Sequence, residues 1–127
     1  MVSAMSDLFQ SLADAPAEFV AMVADVLERR AADPEHQAIV EAYVGALSLP
    51  DQAAVLEIGC GTGAICRHFA GLDGVARVRG IDPAPGLIAC ARDLALDLPG
   101  LEFRIGRGGG HGLSHVRSVP ESCRCPR

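Results

Sequence analysis

Apolar positions between Pro16 and Arg30 fall at Phe19, Val20, Met22, Val23, Val26 and Leu27, the three-and-four spacing of one helix face. Asp33-Pro34 follows, an N-cap with proline at the first helical position. The helix it opens is expected to bury Ile39, Val40, Tyr43, Val44 and Leu47. After Pro50-Asp51 the pattern changes to a short apolar run, Ala53 to Ile58, stopped by three glycines. That length and that stop predict a buried strand. Residues 64–70 return to helical character, Gly71 to Ala76 turns the chain, and Arg77 to Asp82 predicts a second strand. Pro85 to Leu96 predicts a helix with Leu87, Ile88, Ala91, Leu94 and Ala95 on one side, and Leu101 to Ile105 a third strand after the Pro99-Gly100 turn. Strands alternating with helices imply an α/β fold with a parallel sheet and right-handed crossovers. The leading helices would form a cap or outer layer. Residues 1–50, 51–106 and 107–127 therefore separate into a helical segment, a strand–helix unit of three parallel strands with flanking helices, and a tail expected to lack structure.

Composition sharpens this picture. With 127 residues, half of them hydrophobic, the chain can build one small domain. With four Phe, one Tyr and no Trp, its core must come from aliphatic side chains. No run approaches about 18 apolar residues, so no membrane span is expected. No basic residue precedes Arg29, which argues against a secretory signal and for the cytoplasm. Five scattered cysteines fit reduced thiols. Cys60, Cys66 and Cys90 read as packing thiols, and His36 and His68 as solvent-facing helix residues. All basic residues are Arg; residues 1–103 carry 6 of them against 15 acids, while residues 104–127 carry 5 against one Glu. The acidic body argues against a nucleic-acid partner, because phosphate contacts require positive charge. In the tail, His111, His115, Cys123 and Cys125 could be set out as zinc ligands, but the Cys-x-Cys spacing is tighter than usual and no predicted element frames it.

The chemistry concentrates at VLEIGCGTG, residues 55–63. Gly59, Gly61 and Gly63 permit a tight turn and close approach of a ligand to the backbone. The N–H groups where the loop opens the next helix would favour an anionic group. Glu57 lies near the carboxyl end of the first strand, where open α/β sheets bind ligands, and its carboxylate suits an amine or hydroxyl donor. Asp82 ends the second strand 23 residues after Gly59, a place from which an acid can accept hydrogen bonds from both ribose hydroxyls. With Pro83 following, it also suits a helix N-cap. Gly59-x-Gly61-x-x-Ala64 fits the relaxed dinucleotide motif too, so NAD is a rival ligand; a carboxylate at Glu57, close to where its pyrophosphate would lie, counts against it.

VLEIGCGTG resembles the first motif of class I S-adenosylmethionine-dependent methyltransferases, and GIDPAPGLIACAR (residues 80–92) resembles the segment around their second strand. The likeness covers roughly residues 35–106 and is nearest the small-molecule, quinone-biosynthesis-like branch. It implies the N-terminal half of a Rossmann-like methyltransferase sheet. The cofactor would be S-adenosyl-L-methionine and the methyl acceptor a small molecule. The resemblance places Gly59, Gly61 and Gly63 along the methionine and ribose portion, Glu57 near the methionine amine, and Asp82 on the ribose hydroxyls. It names no catalytic base. The long helical lead also favours this family over dinucleotide binders. The sequence departs from the family after the third strand: Gly106-Arg107 stands where the family has Gly-Asp, and arginine cannot accept a hydrogen bond from the adenine amino group. The later strands are not recognisable. The first strand, central in the family, would then be an edge open to self-association. The abrupt change at Gly106 is read as truncation or a frameshift, with a non-catalytic cofactor-binding remnant as the alternative to a working enzyme.

Overall fold

The computed structural model describes residues 12–108. Two helices lead, α1 (Ala17–Ala32) and α2 (Pro34–Gly45). Then follow β1 (Ala53–Ile58), α3 (Ala64–Ala70), β2 (Val75–Asp82), α4 (Pro85–Leu94) and β3 (Leu101–Ile105). The boundaries of β1 and β3 are those the sequence predicts, because glycine or proline punctuates both sides of each run. β2 starts two residues earlier than expected, and α4 stops two residues earlier. The tail features at His111, His115, Cys123 and Cys125 lie outside the described residues. No described helix is long and apolar enough to cross a membrane.

The strands form one parallel sheet in the order β1-β2-β3. Two crossovers in the same direction put α3 and α4 on one face, where both pack against β2 and β3. On that face Val55 pairs with Val78, Glu57 with Gly80, and Gly80 with Phe103. Val78 and Phe103 join Cys66 and Phe69 of α3, Ile88 and Ala91 of α4, and Val44 of α2 in the main core. A second cluster fastens α1 to α4 through Val20, Ala24, Ala84, Leu87 and Cys90. Close approach here depends on Gly86, where a Cβ would lie 2.6 Å from a methyl of Val20.

Two expectations about burial need correction. β1 is not buried on both faces: Leu56 and Ile58 are 56% and 61% exposed, because the helices cover only the opposite face. Among the described residues β1 is an edge, with β2 its one neighbour. Nor does α2 bury its full apolar set. Val44 is buried and Val40 is half-buried, but Ile39, Tyr43 and Leu47 are exposed. Helical spacing puts these side chains near one another; it does not supply a surface to receive all of them. The N-cap of α2 forms as expected, with Asp33 Oδ1 accepting from the N–H groups of Glu35 (2.9 Å) and His36 (3.1 Å).

Ile88 is fully buried at the centre of the main core. Ile88→Ala is expected to cost about 2–5 kcal/mol, from lost transfer energy and a residual cavity. Urea unfolding followed by circular dichroism measures it; a cost under about 1 kcal/mol would mean that this core is loosely packed.

Candidate functional site: a cleft over the glycine loop

The loop from β1 to α3 is built on three glycines in left-handed conformation, with φ of 76° at Gly59, 56° at Gly61 and 81° at Gly63. Side chains strain this region, and the glycines differ in what surrounds them. A Cβ on Gly59 would meet nothing within 4 Å, so its surface is open to a ligand. On Gly63 a Cβ would strike the Phe103 ring at 2.4 Å. Gly63 therefore serves the packing of α3 on the sheet, and it is buried.

Hydrogen bonds fix the loop from beneath. The N–H groups of Gly59 and Cys60 donate to the Ile81 carbonyl at 2.7 and 3.0 Å, and that of Gly63 to the Cys60 carbonyl at 2.9 Å. The Gly61 N–H donates to Asp82 Oδ2 at 3.0 Å, while Asp82 Oδ1 accepts from the Ala84 N–H at 2.9 Å. Asp82 thus ties the end of β2 to both flanking loops. It braces the turn into α4 through Ala84, although Ala84 is itself the N-cap residue of that helix. These bonds commit the N–H groups of Gly59, Cys60, Gly61 and Gly63 to holding the loop together.

Glu57 Oε2 accepts from the Cys66 thiol at 2.9 Å. Burial raises the Glu57 carboxyl above its ordinary range, and the charge of Asp82 adds to this; the Cys66 bond works in the opposite direction. The Cys66 thiol is pushed up by its hydrogen bond with Cys60, by burial and by Glu57. It therefore stays protonated, in keeping with a packing role. Cys60, Cys66 and Cys90 are in no disulfide, and all three are buried.

A cleft of about 490 Å³ opens above this floor. Glu57, Gly59, Cys60, Gly61, Thr62 and Asp82 line one side; Gly63 does not. The opposite wall was not legible in the motifs: Leu12, Val23, Leu27, Arg30, Ala31 and His36 come from the leading helical segment. His36 and His68 are partly buried rather than fully solvent-facing, and His36 is at the cleft. Arg67 joins wall and floor. One of its guanidinium nitrogens meets both Glu28 carboxylate oxygens of α1 (2.9 and 2.8 Å), and the other donates to the Thr62 carbonyl at 2.8 Å. No sequence motif signals this pair, since its partners lie 39 residues apart.

The cleft lies at the carboxyl ends of parallel strands, where open α/β sheets place their ligands, and is floored by a glycine loop and an acid at the end of the second strand. Residues 55–115 match the family described as methyltransferase domain, so the match runs past Gly106 into the segment set apart by composition. The described residues are arranged like the N-terminal half of a Rossmann-like methyltransferase, three parallel strands with flanking helices behind a helical lead. Among solved structures, it is similar to a complex of the Haloferax volcanii Trm112 methyltransferase activator with the protein assigned as its methyltransferase. The TM-score is 0.56 at 23% identity, over 68% of this chain and 35% of that one. The chain thus spans about a third of that structure's length. A second structure, from work on the conversion of a disulfide bond into a thioacetal group during echinomycin biosynthesis, is 37% identical over 54% of this chain and 26% of that one, with a TM-score of 0.42. No curated protein matches the chain in sequence.

The half-buried position of Glu57 makes stability depend on pH. Below its ordinary value of 4.5 the carboxyl is neutral in folded and unfolded chains alike. As pH rises from there through the raised folded value, the unfolded chain ionises first, so the wild type loses stability. Glu57→Gln keeps an acceptor for Cys66 and cannot ionise. Its urea midpoint is expected to gain on the wild type across that window; a constant gap from pH 4 to 8 would contradict the assignment.

Proposed function

We propose that the cleft binds S-adenosyl-L-methionine, and that the domain to which this chain belongs transfers the methyl group to a small-molecule acceptor. The observation that carries the reading is the sign of the cleft floor: two carboxylates, Glu57 and Asp82, beside a loop in which the N–H groups of Gly59, Cys60, Gly61 and Gly63 are already bonded. A pyrophosphate would meet negative charge there. A ligand with a sulfonium, an ammonium and ribose hydroxyls would meet acceptors. The fit is further supported by the open surface at Gly59 and by a cleft volume within the usual range for small-molecule sites.

Within this reading Glu57 accepts the ammonium group. The ammonium would also favour the ionised carboxylate, so binding should strengthen as pH rises through the Glu57 titration. Asp82 spends one lone pair of each oxygen on Gly61 and Ala84, and the remaining lone pairs are available to the two ribose hydroxyls. Leu12, Val23, Leu27 and Leu87 shield the cleft from water. The bound cofactor supplies an electrophilic methyl carbon, so the protein's task is to orient it and keep water away.

S-adenosylhomocysteine should raise the melting temperature by on the order of 10 °C at about a hundredfold excess over Kd. NAD should leave it unchanged. Asp82→Ala should abolish the rise. Protection by NAD alone would reverse the assignment of the ligand.

A further inference from the structure

Two thiols and a carboxylate meet at the cleft floor. The Cys66 thiol donates to Glu57 Oε2 at 2.9 Å, and Cys60 and Cys66 hydrogen-bond to each other. Gly80, the ladder partner of Glu57, makes room for this arrangement: a Cβ there would lie 2.8 Å from Cys60 Sγ. Both thiols are buried, but Cys60 lines the cleft and Cys66 lies behind it in α3. A pair that only filled space would not need a carboxylate against one of its thiols. Residues 61–65 separate the two, and Gly61 and Gly63 among them give the loop a permissive backbone through which the sulfurs can close from contact to a bond.

We propose that Cys60 and Cys66 are a modification site: a peroxide entering the unliganded cleft joins them in a reversible disulfide, with Cys60 the attacking thiol, Cys66 the resolving thiol and Glu57 the group that takes the Cys66 proton. In the first step the Cys60 sulfur attacks one peroxide oxygen and the O–O bond breaks. The departing hydroxide takes up the Cys60 proton as water and leaves a sulfenic acid. In the second, the Cys66 sulfur attacks the sulfenic sulfur as its proton passes to Glu57. The S–O bond breaks, and the hydroxide recovers that proton as a second water. The two thiols lose two electrons in all and the peroxide gains them. Cys66, protonated at rest, becomes a nucleophile only as Glu57 accepts its proton. The disulfide takes the thiol donor from Glu57 and draws the glycine loop toward α3, so ligand binding in the cleft weakens. The bond itself does not depend on the S-adenosylmethionine reading; protection of the pair by bound ligand does.

Peptide mapping on the full chain tests this. No Arg or Lys lies between Arg30 and Arg67, so one tryptic peptide, residues 31–67, holds both thiols and no other cysteine. After hydrogen peroxide and alkylation, that peptide should be two hydrogens lighter than its reduced form and carry no alkyl group. Dithiothreitol should restore it. Cys66→Ser should leave a Cys60 sulfenic acid that dimedone captures, and Glu57→Gln should slow disulfide formation on the order of a hundredfold. S-adenosylhomocysteine at about a hundredfold excess over Kd should slow it by roughly the same factor. Two alkylated thiols after peroxide, or a bond from either one to a different cysteine, would overturn the site. An unchanged rate in Glu57→Gln would remove Glu57 from the step. Formation undiminished with S-adenosylhomocysteine bound would rule out the cleft as the route. A chain that binds no S-adenosylhomocysteine yet forms the disulfide would end the cofactor reading and leave the modification site standing.

Discussion

The hydrogen bond from the Gly61 N–H to the Asp82 carboxylate joins the ends of two adjacent strands above the sheet. A loop made of left-handed glycines is conformationally permissive, and nothing intrinsic to those residues selects one arrangement. Selection comes from beneath and beside the loop. The Ile81 carbonyl takes two of its N–H groups and Asp82 takes a third. Because Asp82 also holds Ala84, the same carboxylate sets the turn into α4. The start of α4 in turn holds α1 through Ala84, Leu87 and Val20. One side chain therefore links the floor of the cleft, the helix behind it and, at one remove, the opposite wall.

The strands and crossover helices were legible because local chemistry marks their ends: glycines after β1, Asp82-Pro83 after β2, Pro99-Gly100 before β3. The same motifs brought Glu57, Gly59, Gly61 and Asp82 to one cleft. What periodicity could not disclose was whether a predicted face meets a partner. Tyr43 and Ile39 keep helical spacing with Val40 and Val44, yet stay exposed. Gly63 belongs to the motif as firmly as Gly59, but its missing side chain makes room for Phe103, a contact 40 residues away. The wall of Leu27, Arg30 and His36 was out of reach for the same reason. Its residues carry no common motif, and their convergence is a property of how α1 docks.

Glu57 shows how the floor reconciles charge with burial. A carboxylate beside Asp82 in a half-buried position is unfavourable without a ligand. The Cys66 thiol offsets part of that penalty with a hydrogen bond, and the thiol is in turn kept protonated by its surroundings. A thiol is a weak donor. An ammonium group would be a stronger partner, so the protein's own contact leaves Glu57 with an unfulfilled preference for a cation.

The unsheltered face of the sheet bears on how the site stays rigid. Parallel strands are ordinarily covered on both faces, yet Leu56 and Ile58 of β1 are exposed beside a row that includes Arg79. Among the described residues β1 is held laterally by β2 alone. Lateral pairing is therefore a thin support for the strand that carries Glu57 and leads into the glycine loop. The support that remains comes from above the strand ends, through Asp82 on one side of the loop and the Arg67–Glu28 pair on the other. Arg67 and Glu28 have side chains only 20% and 29% exposed, which puts their pairing in a setting where solvent screens it less than at an open surface. Removing either partner would strand the other, partly buried, at the seam between α1 and the loop. The wall and floor of the cleft would then separate before the sheet itself unfolded, so ligand binding should be more sensitive to this pair than global stability is.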